Sequence, residues 1–304
     1  MQTESVNERY AEIDRWPTAV AVDVMLEAQM SAVAAVRPEV DAIARAADAA
    51  ADRLMAGGRL VYVGAGTSGR IAIQDAVELG PTYGWPMDRI VFVLAGGVNA
   101  LIKSAETAED DAAAAREQLS AIDLTSSDVL IGVAASGRTP FTLGGIEFGN
   151  HKGALTIGVV NNPSSEIQKA AEIGICAETG SEVVAGSTRM KAGTAQKVIL
   201  NLLSTAIMIR CGRVYKGLMV DMTISNKKLH NRAVAIISQV AEISEEAAAS
   251  ALDDANGEIK TGILYALGAD RGRAEKLLLD SSGVLRTAIE RFYGKEADVV
   301  NGND

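Results

Sequence analysis

The sequence predicts an α/β protein in which helices cover both faces of a doubly wound parallel sheet, with a small helical bundle after it. Three observations predict this architecture. Short apolar runs alternate with helix-length amphipathic segments, glycine-rich turns directly follow two of these runs, and only helical patterns remain beyond about residue 226. Because the chain has 304 residues and 48% of them are hydrophobic, it can bury a core in each part.

The first part of the chain, residues 1–47, is predicted to be a helical lead-in. Helical patterns occupy residues 19–30 and 37–56. The second pattern begins at Pro38, which suits the first turn of a helix, and it ends at a pair of glycines. We therefore expect two helices before the first strand.

The domain that follows, residues 48–225, is predicted to contain the parallel sheet. Its strands are the short apolar runs, and a stretch long enough for a helix separates each run from the next. These runs are Leu60 to Val63, Ile90 to Leu94, Val129 to Val133, Leu155 to Val160 and Ile173 to Cys176. A long helix from about Lys191 to Arg210 is expected to close the domain.

Residues 226–304 are predicted to form helices only. Ser244 precedes EEAAASAL as a helix cap, Asn256-Gly257 marks a break, and Gly268 ends a further helix. The segment EISEEAAASALDDANGEIKTGILYAL resembles the three-helix ubiquitin-associated-like fold. The sequence assigns no activity to this region.

Composition and charge exclude several classes of function. A net charge of −10 disfavours nucleic acid and anionic membrane surfaces as partners, because both attract basic patches. The two cysteines and two histidines are isolated in the sequence, so neither a disulfide framework nor a metal site is predicted, and no cofactor is expected. The first residues lack a basic and apolar leader, and the longest apolar run, Val198 to Ile209, is too short to cross a bilayer. A cytoplasmic protein is therefore expected.

Two similar glycine-rich loops follow the first and third predicted strands, VYVGAGTSGR at 61–70 and IGVAASGRTP at 131–140. In an open α/β sheet, ligands bind outside the carboxyl ends of the strands, where helix N-termini offer unpaired N–H groups. Both loops supply hydroxyls there, which suits a phosphate group. The candidate binding residues are Thr67, Ser68, Gly69 and Arg70 in the first loop and Ser136, Gly137, Arg138 and Thr139 in the second. Helix capping alone explains one such loop adequately, but two less well.

The first loop also satisfies the dinucleotide pattern GxGxxG with Gly64, Gly66 and Gly69. A nicotinamide site normally has an acidic residue at the end of the next strand to hold the ribose. Here that strand ends in Leu94-Ala95-Gly96-Gly97. The sequence therefore favours a cradle for one phosphate monoester.

A third cluster, AGSTRMKAGTAQK at 185–197, places Ser187, Thr188, Arg189 and Lys191 at the start of the long helix. Positive charge at a helix N-terminus opposes the helix dipole, which suggests an anionic partner. A solvated turn whose arginine and lysine pair with acidic neighbours explains the cluster equally well. Both interpretations stay open at this point.

The motifs GAGTSGR, AASGRTP, GSTRMKAGTAQK and KGLMVDM occur in this order and at similar spacing in N-acetylmuramic acid 6-phosphate etherases. The resemblance extends from about Arg15 to Ala233, and GSTRMKAGTAQK followed by LNLLSTAIMI is highly specific to that family. It implies a sugar isomerase (SIS) type, flavodoxin-like domain, a homodimer and a small-molecule sugar phosphate as substrate. The implied reaction releases D-lactate and N-acetylglucosamine 6-phosphate.

The same resemblance implies two catalytic carboxylates. The family's DASE segment matches Asp75 to Glu78, and its AEDD segment matches Ala108 to Asp111, so Glu78 and Glu109 are the candidates. Where the family usually has ASECPPT, this chain has AVELGPT, so that a serine, a cysteine and a proline are replaced. The glutamate is kept, but its immediate neighbours differ.

Eliminating lactate from C3 of the sugar requires removal of the C2 proton and protonation of the departing ether oxygen. Ring opening exposes an aldehyde at C1, which acidifies the C2 proton and makes a carboxylate a competent base. Our hypothesis assigns the base to Glu109 and the acid to Glu78, which also helps water to add at C3. The apolar neighbours Val77 and Leu79 predict that Glu78 is buried, and a buried carboxyl group favours its protonated form.

His230, in SNKKLHNRA, is a candidate to reach the site of a partner subunit, because SIS-type sites are often completed across a dimer interface. A lone histidine beside Lys and Arg is more commonly just exposed. Two other functions also stay open. An aldose–ketose isomerase abstracts the same proton but returns it to carbon, and a regulator resembling the glucokinase regulatory protein binds sugar phosphate without turnover.

Overall fold

The computed structural model describes residues 1–102 and 106–294. The chain divides into two compact units, the first formed by Met1–Val77 and Pro86–Ile207, the second by Glu78–Trp85 and Met208–Asp304. The division passes through the long helix near residue 207. The domain ranges 1–47, 48–225 and 226–304 remain predictions.

The first unit contains a five-stranded sheet. Its strands are β1 (Leu60–Gly64), β2 (Ile90–Leu94), β3 (Val129–Ala134), β4 (Leu155–Val160) and β5 (Ile173–Cys176). All neighbours pair in parallel, in the order β2-β1-β3-β4-β5. The predicted strands and the doubly wound parallel sheet are therefore confirmed.

Strand burial follows from this order. Every residue of β1, β3 and β4 is buried, as expected for strands with a neighbour on each side and a helix on each face. The edge strands β2 and β5 are each buried at only part of their length. This is why the strands appear in the sequence as continuous apolar runs rather than as alternating patterns.

Helices cover both faces of the sheet. The helices as far as the end of the first unit are α1 (Thr18–Ala34), α2 (Val40–Met55), α3 (Gly66–Val77), α4 (Leu79–Tyr83), α5 (Ala112–Ala121), α6 (Pro140–Lys152), α7 (Glu166–Ala170) and α8 (Lys191–Arg210), of which α4 belongs to the second unit. Leu119, Phe141 and Ile167 of α5, α6 and α7 share one buried core with Val61 and Val63. The intervening residue of β1, Tyr62, points to the other face, where burial and the charge of Asp75 raise the pKa of its phenol.

The first fifteen residues lie ahead of the two helical patterns that the sequence places at residues 19–30 and 37–56. They form three short 3-10 turns, Gln2–Glu4, Glu8–Tyr10 and Ile13–Arg15, before α1 begins. Thr3 is completely buried within the first turn. The two helices that follow, α1 and α2, agree with the prediction.

The second unit is mainly helical. Besides α4 it contains a short hairpin of β6 (Val214–Tyr215) and β7 (Leu218–Met219), followed by α9 (Lys227–Ala241), α10 (Glu245–Asp254), α11 (Ile259–Ala266), α12 (Arg271–Asp280) and α13 (Leu285–Phe292). Ser244 caps α10, as predicted, by accepting a hydrogen bond from the backbone N–H of Ala247. The second unit has its own hydrophobic core, in which Ile237, Leu252 and Ile263 are buried.

Two helical stretches, Thr18–Met55 and Lys191–Arg210, are long and apolar enough to cross a membrane by length and composition alone. The most apolar window of the second is 56% buried, which is how a core helix of the sheet domain passes such a test. The window of the first is only 17% buried, because much of the apolar surface of α1 is uncovered in a single chain. Length and composition alone are weak support for a membrane span.

Candidate functional site

The two predicted loops lie side by side at the carboxyl edge of the sheet. Strands β1 and β3 are direct neighbours, with Gly64 opposite Val133, and each strand runs straight into its loop. The chain leaves β1 for β2 in one direction and β3 for β4 in the other, as the strand order shows. The loops therefore flank the topological switch point, where doubly wound sheets bind their ligands.

The loop after β1 depends on close contact between its glycines. A side chain on Gly69 would overlap Leu94, and one on Gly64 would come within 2.9 Å of the Cα of Gly69. Gly66 has a left-handed backbone, with φ of 52°. Helix α3 can thus begin directly at the strand end, which brings Thr67 and Ser68 to its first turn.

The guanidinium of Arg70 is hydrogen-bonded to the protein backbone. Its Nε and Nη2 atoms both donate to the backbone oxygen of Ala100, at 3.1 and 2.9 Å. This contact fixes the segment that follows β2 against α3. In this chain Arg70 supports the neighbouring segment, and a role in holding phosphate stays a prediction.

The loop after β3 is hydrogen-bonded to residues of the segment that follows β4. The backbone oxygen of Gly137 accepts a hydrogen bond from Ile167 at 2.9 Å, and the side-chain amide of Asn162 donates to Ala135 at 2.9 Å. Within the loop, Ser136 Oγ lies 3.4 Å from Thr139 Oγ1 and accepts from the backbone N–H of Arg138. The Arg138 side chain is exposed.

The third cluster begins α8, and its first backbone donors are already occupied. Glu182 is completely buried, and its two oxygens accept from the backbone N–H groups of Lys191 and Ala192, both at 2.9 Å. A carboxylate here offsets the positive end of the helix dipole. An anionic ligand at this cluster would be held by the side chains of Ser187, Thr188 and Lys191 rather than by these two backbone groups.

Lys191 is partly buried at the same place. Its ammonium donates to the backbone oxygen of Ser181 at 3.0 Å. Burial lowers the pKa of Lys191, and the charge of Glu182 offsets part of this effect. The first turn of α8 also lies beside the first loop, because a Cβ placed on Gly193 would be 3.8 Å from the methyl group of Thr67.

Glu109 lies next to the first loop. A Cβ placed on Gly66 would be 4.0 Å from its Oε2 atom, and the side chain is half-buried. A carboxylate at this edge is close to where a ligand held by the loops would lie. The first unit therefore brings together both glycine-rich loops, the start of α8 and Glu109.

Glu78 and His230 belong to the second unit. Glu78 is exposed, so the expectation that it is buried among apolar neighbours is wrong for this chain. The reason is helical geometry, because successive side chains point in different directions: Leu79 is 2% exposed, whereas Val77 is 39% exposed. His230 is half-exposed, with Nε2 4.0 Å from Asp253.

Asn162 and Glu182 are two residues at this edge that the sequence interpretation missed. Asn162 follows β4 in Asn161-Asn162-Pro163 and is 5% exposed. Polar residues directly after an apolar strand lie at the carboxyl edge of a parallel sheet, where ligands bind, and this position was the available signal. Nothing near Glu182 in sequence indicates its role, because its partners begin nine residues later in α8.

Among the residues that the structure describes, no group of three or more His, Cys, Asp or Glu side chains could hold a metal ion. The donors that the described candidate residues offer at the carboxyl edge include hydroxyls, backbone N–H groups, the Lys191 ammonium and the exposed guanidinium of Arg138. This set of donors suits an anion.

Comparison with protein families gives three matches. A glucokinase regulatory protein N-terminal SIS domain matches residues 42–150, and the SIS domain matches residues 105–206. The C-terminal lid domain of glucokinase regulatory protein matches residues 216–256. The SIS type of the sheet domain is therefore confirmed.

Curated relatives match over most of the chain. A protein of Symbiobacterium thermophilum is 48% identical over 269 residues, covering 87% of this chain and 88% of the relative. A protein of Lactobacillus acidophilus is 42% identical over 304 residues, covering 100% of this chain and 98% of the relative. Both relatives are named N-acetylmuramic acid 6-phosphate etherase.

Solved structures support the fold. A proposed phosphosugar isomerase of Bacteroides fragilis involved in capsule formation matches with a TM-score of 0.52 and 21% identity. The match covers 66% of this chain and 95% of that protein. At this identity the likeness shows the SIS fold and nothing finer.

Proposed function

The chain belongs to the N-acetylmuramic acid 6-phosphate etherase family, and we propose that it cleaves the D-lactyl ether of N-acetylmuramic acid 6-phosphate. The products are N-acetylglucosamine 6-phosphate and D-lactate, and the reaction is an elimination followed by hydration. This is a carbon–oxygen lyase activity of amino-sugar metabolism, suited to N-acetylmuramate catabolism and peptidoglycan recycling. The observation that carries the proposal is a pair of hydroxyl-bearing loops at the switch point, with the Glu109 carboxylate beside the first of them.

The phosphate of the substrate is assigned to the carboxyl edge. Thr67 and Ser68 lie at the start of α3, and Ser136 and Thr139 lie just before α6, so both loops offer hydroxyls beside helix N-termini. The ammonium of Lys191 adds a positive charge at the same edge. A monoester has three oxygens to satisfy, which this number of donors can do without a metal ion.

Glu109 is assigned as the base that removes the C2 proton. A Cβ placed on Gly66 would be 4.0 Å from its Oε2 atom, so the carboxylate lies beside the first of the two loops assigned to the phosphate. Glu78 is assigned as the acid that protonates the ether oxygen and later helps water to add at C3. Since Glu78 is exposed in the single chain, its role as an acid requires that bound substrate or a partner subunit covers it.

The proposed enzyme is a homodimer. One face of α1 carries Val22, Leu26, Met30 and Val33, each about one helical turn from the next, and these side chains are 53%, 58%, 67% and 48% exposed. A second copy of the chain is the proposed cover. Leu26→Glu is expected to shift the sedimentation of the protein from dimer to monomer, whereas Leu279→Glu, at a residue of α12 that is 80% exposed, is the matched control.

Release of D-lactate from authentic N-acetylmuramic acid 6-phosphate tests the activity. We expect Glu109→Gln and Glu78→Gln each to lower kcat by about 10²-fold or more, as for loss of a general acid or base. Glu117→Gln, on the exposed side of α5, is the control and is expected to retain full turnover. Near-normal turnover of Glu109→Gln would remove this residue from the mechanism.

The same assay separates the alternatives. Interconversion of an aldose phosphate and the ketose phosphate of the same composition, without release of lactate, would indicate an isomerase. Tight binding of sugar phosphate with no turnover would indicate a regulator, to which the two matches with domains of the glucokinase regulatory protein lend weight. Either result would contradict the etherase proposal.

The cytoplasmic location is a further prediction.

A further inference from the structure

The first residues of the chain lie across the carboxyl ends of β4 and β5. The backbone N–H of Gln2 donates to Oδ1 of Asn162 at 2.9 Å, and Oγ1 of Thr3 accepts from Nδ2 of the same side chain at 3.0 Å. The backbone oxygen of Thr3 accepts from the N–H of Gly186 at 3.2 Å. The N-terminal segment, residues 2–7, is therefore bonded to groups far away in the sequence.

Asn162 links this segment to the second phosphate loop. Besides the bond to Thr3, its Nδ2 donates to the backbone oxygen of Ala135 at 2.9 Å, directly before Ser136. Both amide hydrogens and the amide oxygen of Asn162 are thus used, and the residue is 5% exposed. Because a buried amide must satisfy its donors, a change at Thr3 acts on the position of Asn162.

The segment also holds the third cluster. Gly186, which Thr3 binds, directly precedes Ser187, and a Cβ placed on Gly186 would be 3.0 Å from Oε2 of Glu4. Asn7 donates to the hydroxyl of Ser181 at 3.1 Å. The backbone oxygen of Ser181 in turn accepts from the Lys191 ammonium. Two proposed phosphate-binding elements are thus joined through one short segment.

We propose that the N-terminal segment is a positioning element of the sugar-phosphate site, with Thr3 as its central positioning residue. It fixes the loop after β3 through Asn162 and the Ser187–Lys191 cluster through Gly186 and Ser181. A pre-organised loop loses less conformational freedom on binding, so the segment raises affinity for the phosphorylated sugar without touching it. The inference rests on the proposed function, because it takes these loops to be the phosphate site.

Thr3→Val is the decisive variant, because valine keeps nearly the same volume in this fully buried position and removes the hydroxyl that accepts from Asn162. We expect KM for N-acetylmuramic acid 6-phosphate, and Kd for N-acetylglucosamine 6-phosphate by calorimetry, to rise about tenfold, with kcat within about twofold of the parent. Thr3→Ser restores the hydroxyl and is expected to restore both constants. Val6→Ala, at a side chain that is 74% exposed, is the control within the same segment.

A purely structural role predicts a different result. In that case Thr3→Val lowers the melting temperature while KM and Kd keep their parental values, and this outcome would overturn the proposal. A fall in kcat with unchanged KM would overturn it as well. If the parent protein releases no lactate, the proposed activity fails, and the effect of Thr3→Val on the affinity for N-acetylglucosamine 6-phosphate still decides whether the segment positions a phosphate site. Absence of sugar-phosphate binding by the parent would end both proposals.

Discussion

Replacing Gly137 by alanine tests how strictly the loop after β3 is shaped by its contact with the segment after β4. Gly137 has φ of 65°, and a left-handed backbone costs an alanine about 1–2 kcal/mol. An added Cβ would also overlap Oγ and Cβ of Ser165 and come within 3.2 Å of Val160. Overpacking of this kind costs about 1–3 kcal/mol, so we expect a total loss of about 2–5 kcal/mol in the free energy of unfolding.

Urea unfolding measures this loss against a matched control. Gly153 is also left-handed, with φ of 74° and ψ of 13°, and among the described residues its added Cβ meets only the Cβ of Ser126, at 3.3 Å. Gly153→Ala therefore carries mainly the backbone cost, about 1–2 kcal/mol. The difference between the two variants reports the overlap with Ser165. A lactate-release assay on the same proteins is expected to show a raised KM for Gly137→Ala alone.

Ser165→Gly is the rescuing change. It removes both overlapping atoms, and glycine at an N-cap costs only a few tenths of a kcal/mol, here without loss of any side-chain cap bond. In this background Gly137→Ala is expected to recover at least about 1 kcal/mol. Equal losses for Gly137→Ala and Gly153→Ala, or no recovery with Ser165→Gly, would refute the contact as the cause.

Three further predictions concern other parts of the chain. Asp128→Asn removes the buried negative charge that pairs with Arg59 and is expected to lower the free energy of unfolding by about 3 kcal/mol at neutral pH. Burial alone would raise the pKa of Asp128, but the hydrogen bonds from Arg59 hold it below the ordinary 3.8. The stability that this ion pair adds is therefore present above pH 3.8 and is lost as the pH falls through the pKa of Asp128 in the folded protein. Urea unfolding across acidic pH measures this loss. Burial lowers the pKa of Lys191 below the ordinary 10.5, so its ammonium loses its charge before that pH is reached. The KM for the sugar phosphate is therefore expected to rise with pH in the parent protein and to stay flat in Lys191→Arg, because arginine keeps its charge. Gly84→Ala, at φ of 59° and against a backbone oxygen, is expected to cost about 2–5 kcal/mol in urea unfolding, more than Gly217→Ala, whose Cβ meets no described atom within 4 Å.

The sheet was predictable because its strands are buried on both faces. Such strands must be apolar throughout, and runs such as Leu155 to Val160 stand out from the amphipathic helices between them. The N-terminal turns were not predictable in the same way. Residues 2–7 are mostly polar, and the groups that order them, Asn162 and Gly186, lie about 160 and 180 positions further along the chain. No local pattern encodes such bonds.

The phosphate loops could be located from the sequence because strand ends, glycines and hydroxyls are adjacent in it. The direction of each long side chain and the group that it binds could not be predicted. Arg70 looks like a phosphate ligand in the SGR motif, yet its guanidinium binds the backbone of Ala100, which another strand delivers. Glu78 looks buried between two apolar neighbours, yet only Leu79 turns inward. Side-chain direction depends on tertiary contacts that the spacing of motifs does not record.

The segment AVELGPT, which is predicted to differ from the usual pattern of the family, is hydrogen-bonded to the residue that follows the motif KGLMVDM. The backbone oxygens of Gly80 and Pro81 both accept from Thr223, which directly follows KGLMVDM, and a side chain on Gly84 would overlap the backbone oxygen of Asp221. Leu79 is buried within the same unit. The replacements at 79 and 80 therefore change how this segment packs on the motif, while the carboxylate of Glu78 remains outside that packing. We therefore expect the replacements to alter the packing of this segment and to leave the reaction unchanged. Leu79→Cys and Gly80→Pro, which restore the cysteine and proline expected from the family, are predicted to change stability while the product stays the same.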